Sequence, residues 1–326
     1  MGIVHFAGLG RSPGAVTSGL AYLKHAYGDR SEYGRIVESV VLFTSPEVAD
    51  GTEKAFAAEY NDYMTQTSGR KWSAGETPVR DIIAWFFERE FPDAEVYFCP
   101  VDVHDFSACF EVVAKATLRF HPPGKVGKHL WANITGGTNP LNAALFQVAY
   151  LSGFISRIYY TFIADPGRYG KYLQPFSQDP RLFDFREIYV LKTSFDDRYQ
   201  HILEELAQAP NQCLRGQDLL SRLKGKGVLG PDMDYGTFVR DFLHVLQGRG
   251  IQRGDSEDAV CLDPVGSKIL KILGSELVQA LIGRQALSDA DIQRLTADLR
   301  LEELGRAGGD RPEFLSSLDG GPSGAD

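Results

Sequence analysis

The first 190 residues alternate short apolar, β-rich runs with stretches of helical periodicity, and this alternation restricts the fold more than any other feature. Residues 3–9, 36–43, 95–99, 129–134 and 158–163 read as strands, with a last one over 187–191. Between them, residues 13–26, 54–64, 79–91, 106–120 and 140–151 read as helices. A strand joined to the next through a helix needs a crossover, and crossovers leave neighbouring strands parallel with helices on both faces. The fold class expected is therefore α/β, a mostly parallel sheet covered on two sides.

The rest of the chain follows a different pattern. Residues 164–186 are rich in Pro, Gly, Asp and Tyr and read as an excursion from the sheet. A boundary is expected near 192–197. Residues 199–209, 216–223 and 235–247 then read as three helices, and 251–253 and 259–262 as short strands around a polar turn. Three helices followed by a small hairpin form a winged-helix arrangement, an α+β domain. Residues 264–282 are again helical, and Ser288 with Asp291 caps a further helix over 288–304. The Gly-, Ser- and Asp-rich tail from Gly305 is expected to be disordered. The domains are thus 1–193, 194–283 and 284–326.

Composition narrows the function. At 326 residues the chain is too long for one small domain, and no run approaches the roughly 20 apolar residues of a membrane span. No basic stretch precedes the first apolar run, so that run reads as a strand and not a signal peptide. Cys99, Cys109, Cys213 and Cys261 are scattered without a Cys-x-x-Cys pair, so neither a disulfide framework nor a structural zinc site is expected. A cytoplasmic setting follows. The seven histidines are scattered too, and neither a metal nor a cofactor is expected. The formal charge of −9 argues against broad nucleic-acid binding.

Two loops carry the chemistry. Gly8-Leu9-Gly10-Arg11-Ser12-Pro13-Gly14 follows the first strand and opens a helix, with Ser12 as the expected cap and Pro13 at the first helical position. Thr135-Gly136-Gly137-Thr138-Asn139-Pro140 repeats this after the fourth strand, with Asn139 as the cap. Glycines let the backbone approach a ligand, and amides at a helix start favour an anion. One pocket for a phosphate-bearing ligand, made from both loops, is the expectation.

At these residues the sequence resembles the CARF family, the Rossmann-like sensor domains associated with CRISPR systems. The resemblance is carried by Gly10-Arg11-Ser12-Pro13-Gly14-Ala15-Val16-Thr17, by Leu42-Phe43-Thr44-Ser45-Pro46, and by Thr135-Gly136-Gly137-Thr138-Asn139-Pro140-Leu141-Asn142. It covers roughly residues 1–193, and a winged helix behind such a domain is common in that family. It implies a cyclic oligoadenylate ligand and a two-fold homodimer with the ring across both pockets. It also implies ligand contacts from Gly10, Arg11, Ser12, Pro13, Gly14, Thr44, Ser45, Thr135, Gly136, Gly137, Thr138 and Asn139. Many members carry Lys where Asn139 stands. Arg11 is placed to compensate, since a guanidinium holds phosphate bidentately. Arg168 and Lys171 are weaker candidates.

The function expected is a metal-independent ring nuclease that opens the cyclic oligoadenylate and ends type III CRISPR signalling, with Ser12 and Arg11 as catalytic residues. No Arg-x-x-x-x-His ribonuclease signature accompanies it. The alternative is a cyclic-oligoadenylate-gated winged-helix transcription regulator. Charge disfavours DNA as a partner, because residues 194–283 hold 10 Lys and Arg against 13 Asp and Glu. Arg222, Lys224, Lys226, Arg249 and Arg253 form the best basic patch. A dinucleotide-dependent enzyme fits poorly, since Pro13 stands where Gly-x-Gly-x-x-Gly needs its third glycine.

Overall fold

The computed structural model describes residues 2–31, 34–55, 77–123, 128–164, 183–190, 197–254, 256, 258–283 and 287–304. The chain divides into two compact units, Met1–Lys192 with Ala286–Asp326, and Thr193–Gln285. Among the described residues no helix is long and apolar enough to cross a membrane.

The first unit is built around β1 (Gly2–Gly8), whose seven residues are all buried. A strand flanked by strands and covered on both faces has no polar side, which is why it reads as a continuous apolar run. Its neighbours are β3 (Gly34–Thr44) and β5 (His129–Asn133), both parallel to it. Beyond β3 lies β4 (Glu95–Pro100), and beyond β5 lies β6 (Ile155–Ile163), again parallel. The parallel core runs β4-β3-β1-β5-β6. That is the doubly wound, Rossmann-like order. Antiparallel strands edge it: β2 (Arg30–Ser31) on β3, and β7 (Phe183–Tyr189) on β6. The return strand starts earlier than residue 187, because it pairs with β6 along its whole length.

Helices cover both faces of the sheet. On one, α1 (Gly14–Tyr27) and α3 (Val79–Glu90) share a core with the odd positions of β1, among them Ile3 and Ala7. On the other, Phe6 meets Phe43 and Phe120, the last on α4 (Phe106–Phe120), which packs on α5 (Asn139–Ser152). A short α2 (Pro46–Ala49) follows β3. The helix expected over 54–64 does not begin at Lys54, which forms an antiparallel bridge to Pro78. Residues 56–64 lie outside the described residues, as do Arg168, Lys171 and the tail from Gly305.

His5 is the polar exception within β1 and is fully buried. A carbonyl can only accept, so Nε2–H donates to the Ile36 carbonyl (2.8 Å), and Nδ1 accepts from the Tyr159 hydroxyl (2.9 Å). Burial pushes the imidazole down to about 4, against the hydrogen bond to Ile36 that works the other way.

The second unit holds α6 (Asp197–Gln208), β8 (Cys213–Arg215), α7 (Gly216–Gly225) and α8, residues 235–246. Within α8 a π-helical stretch, Val239–Leu243, separates two short α-helical turns. Then come β9 (Ile251–Arg253) and β10 (Ala259–Leu262), completing an antiparallel sheet in the order β8-β10-β9. Its core is separate and includes Ile202, Leu206, Leu219, Phe238, Phe242 and Val260. The third strand, β8, is absent from the sequence reading. It sets Cys213 opposite Cys261, and the two form a disulfide, although no disulfide framework was expected from the scattered cysteines. Helix 264–282 is also two helices, α9 (Pro264–Leu273) and α10 (Glu276–Leu281), because Ser275 starts a new one by accepting from the Val278 N–H (3.2 Å).

The chain then returns to the first unit. Ser288 and Asp291 form the expected capping box, but the helix, α11, stops at Leu295 (Asp289–Leu295). Beyond it β11 (Glu302–Glu303) pairs antiparallel with β4, and Leu304 packs against the sheet's core.

Candidate functional site

In the order β4-β3-β1-β5-β6 the chain works outward from β1 on one side, then crosses to the other. The reversal falls between β1 and β5. Ligands of doubly wound sheets sit outside the carboxyl ends of the strands that border such a point. Both candidate loops leave from those two ends.

Glycine lets the loops touch. A Cβ on Gly8 would stand 2.7 Å from the Gly137 Cα, and one on Gly136 would stand 2.7 Å from the Gly8 carbonyl oxygen. Gly137 has φ +83°, where a side chain is strained. So the first loop lies backbone against backbone on the second. Gly10 differs: a Cβ there meets nothing within 4 Å.

Hydrogen bonds then hold the pair in place. The Leu9 N–H donates to the Phe43 carbonyl (2.9 Å), and the buried Thr44 hydroxyl donates back to the Leu9 carbonyl (2.6 Å). Asn133 Nδ2 donates to the Ala15 carbonyl (3.1 Å), while its Oδ1 accepts from the Thr135 N–H (2.9 Å). Thr135 Oγ1 accepts from the Thr161 N–H (2.8 Å). Ser18 Oγ donates to the Gly14 carbonyl (2.5 Å) and lies 3.2 Å from Thr161 Oγ1. Asn133, Ser18 and Thr161 are therefore the clasp that ties α1 to the second loop, and sequence reasoning missed them. Their signal was a polar residue ending an otherwise apolar strand, as Asn133 does.

Both expected helix caps shift by one residue. Helix α1 begins at Gly14 with Pro13 before it, and Ser12 contributes its carbonyl, to the Ala15 N–H (3.1 Å). Pro13 already has helical φ and ψ, so the boundary residue is the proline and not the serine. In the second loop the boundary residue is Thr138, with extended backbone, and Asn139 is the first helical residue. The Thr138 hydroxyl donates to the Val103 carbonyl.

These contacts sort the candidates. Thr44, Thr135 and Thr138 spend their hydroxyls holding loops. Arg11, Gly137 and Asn139 are exposed, and Gly10, Ser12 and Ser45 half-buried. The two loops lead into the N-termini of α1 and α5, whose partial positive charges favour an anion. The formal charge at the loops is Arg11, whose Nε lies 2.9 Å from Glu53 Oε1 and donates to the Lys54 carbonyl (3.1 Å). Asn142 lies under the second loop: Nδ2 donates to the Ile134 carbonyl (3.4 Å), and the buried Oδ1 has no partner among the described residues. Among those residues, no three His, Cys, Asp or Glu side chains form a metal-binding group.

No family model matches this chain. An uncharacterized protein of Archaeoglobus fulgidus is 29% identical to it over 195 residues, covering 51% of this chain and 58% of that protein. The chain thus spans less than two thirds of that relative's length. The crystal structure of protein VC1899 from Vibrio cholerae aligns with a TM-score of 0.29 at 9% identity, covering 86% of this chain and 66% of that one.

Proposed function

We propose that the chain binds a cyclic oligoadenylate across the two loops, as a homodimer, and opens the ring without a metal, ending type III CRISPR signalling. The observation that carries this reading is the backbone contact of Gly8 with Gly136 and Gly137 at the reversal of strand order. It brings exposed main chain and two helix starts together, which suits a ligand that presents phosphates and little net hydrophobic surface. Ring opening needs a ribose 2′-hydroxyl brought in line with the neighbouring phosphorus. The hydroxyl oxygen bonds to phosphorus and gives up its proton to solvent, the 5′-oxygen leaves and takes one up, and a 2′,3′-cyclic phosphate remains. The protein's share is positioning and charge stabilisation. Arg11 neutralises the phosphorane oxygens, and Ser12, fixed through its carbonyl at the start of α1, hydrogen-bonds the reacting phosphate.

Incubation with cyclic tetra- and hexa-adenylate in EDTA tests this. The expected product is a linear adenylate ending in a 2′,3′-cyclic phosphate. Rings that bind yet stay intact remove the nuclease reading and keep the sensor reading.

The second reading is a ligand-gated regulator, and the second unit's topology favours it. Helix, strand, two helices and a two-strand hairpin, with sheet order β8-β10-β9, are the elements this reading takes as a winged helix. Its basic patch is weaker than its residue count, because the buried Glu205 pairs with both Arg222 and Lys226. Ligand-dependent, salt-sensitive DNA binding supports this reading, and DNA affinity indifferent to the ring removes it.

A further inference from the structure

Arg11 is the one formally charged group among the twelve candidate ligand residues, and it is paired. Its partner sits on an anchored backbone. The Glu53 N–H donates to the Glu47 carbonyl (2.8 Å), and its carbonyl accepts from the Val79 N–H (3.0 Å). Lys54, the next residue, bridges to Pro78 and offers Arg11 its carbonyl. The carboxylate is thus presented from main chain tied on both sides, to α2 and to the start of α3. A phosphate arriving at the loops meets an arginine whose charge is already answered.

We infer that Glu53 is a charge gate on the loop pocket, holding Arg11 until a ligand with more than one phosphate displaces it. This rests on the reading that the pocket takes a phosphodiester ring. Exchanging a carboxylate for one phosphate monoanion at Arg11 gains little, since one negative charge replaces another. A ring brings further phosphates to the helix starts of α1 and α5, and those contacts draw the exchange forward. Glu53 thereby sets a cost at Arg11 that a ring repays through its further phosphates and a single phosphate does not.

The pair is partly exposed, with side-chain accessibilities of 45% and 33%, so its removal has a bounded effect. Binding of cyclic tetra-adenylate and of 5′-AMP is measured for the wild type, Glu53→Gln, Arg11→Gln and the double variant. In Glu53→Gln the ring binds about threefold to fivefold tighter, and 5′-AMP gains no more than the ring does. In the Arg11→Gln background the same glutamate substitution changes ring affinity by less than about 1.5-fold, since the gate acts through Arg11. A gain in affinity does not come from misfolding. Unchanged or weaker ring binding in Glu53→Gln overturns the gate, as does an equal gain with Arg11 absent. If the ring binds neither wild type nor Glu53→Gln, the pocket reading falls and the gate with it. A ring that binds both equally removes the gate alone.

Discussion

A β-carbon at Gly136 would meet backbone at 2.7 Å, and one at Gly10 would meet nothing within 4 Å, so two alanine substitutions separate fold from ligand. Gly136→Ala is expected to cost about 1–3 kcal/mol, because the atom it strikes is main chain and cannot swing aside. Gly10→Ala is expected to leave the thermal midpoint within about 1 °C and to weaken ring binding by close approach alone. A large loss of stability in Gly10→Ala contradicts this. His5 supplies a second test. Its imidazole ionises at about 4 in the fold and near 6.5 unfolded, so as pH falls the unfolded chain takes up the proton first. The neutral histidine's contribution is therefore complete above about 6.5 and is lost as pH falls toward 4, by up to about 3 kcal/mol. Thermal midpoints of wild type and His5→Gln between pH 4 and 7.5 should differ in slope within that window. A constant offset between them refutes the assignment. At this scale the glycines were legible, since a turn that touches backbone admits little else. The caps were legible only to within a residue, because Ser12 and Pro13, or Thr138 and Asn139, compete for one boundary that φ and ψ decide.

At the scale of elements, β11 protects the edge of the sheet. Glu302 and Glu303 pair with Phe98 and Tyr97 of β4, and Lys115 on α4 reaches Asp298 at 2.7 Å. Deleting residues 287–326 uncovers β4, whose edge can then pair with another chain. The truncated protein is expected to associate in light scattering, while Asp298→Ala, losing an exposed partner, stays dispersed and loses no more than about 1 kcal/mol. A truncated protein that stays dispersed removes the protective role. Two consecutive glutamates carry no strand signal, so β11 was invisible beforehand; its pairing is imposed by the edge it meets. Cys213-Leu214-Arg215 is equally silent, three residues being too few to show alternation. The break at Ser275 was hidden by apolar periodicity that runs on through both helices. By contrast, β1 and the apolar part of β3 were plain, because burial on both faces favours a near-continuous apolar run.

Among the described residues each of the two units has apolar packing of its own, and each unit should melt on its own account. Calorimetry is expected to resolve two transitions. The disulfide joins residues 48 apart within the second unit, and closing such a loop stabilises by about 2–4 kcal/mol. Dithiothreitol, or Cys213→Ser, should therefore lower one midpoint and leave the other in place. A shift of both refutes the independence of the cores. The sequence pattern changes near residue 192, where the two compact units divide, whereas the chain's return to the first unit leaves no local signal, since it depends on contacts far apart in sequence. The touching glycines of the first unit also bear on how such a pocket could be re-tuned. Gly8, Gly136 and Gly137 meet backbone to backbone with no side chain to vary, so if the loops take the proposed ring, a changed ligand preference has to be written at Arg11, Ser12, Ser45 and Asn139. A library restricted to those four positions explores ligand choice while leaving the scaffold's geometry alone.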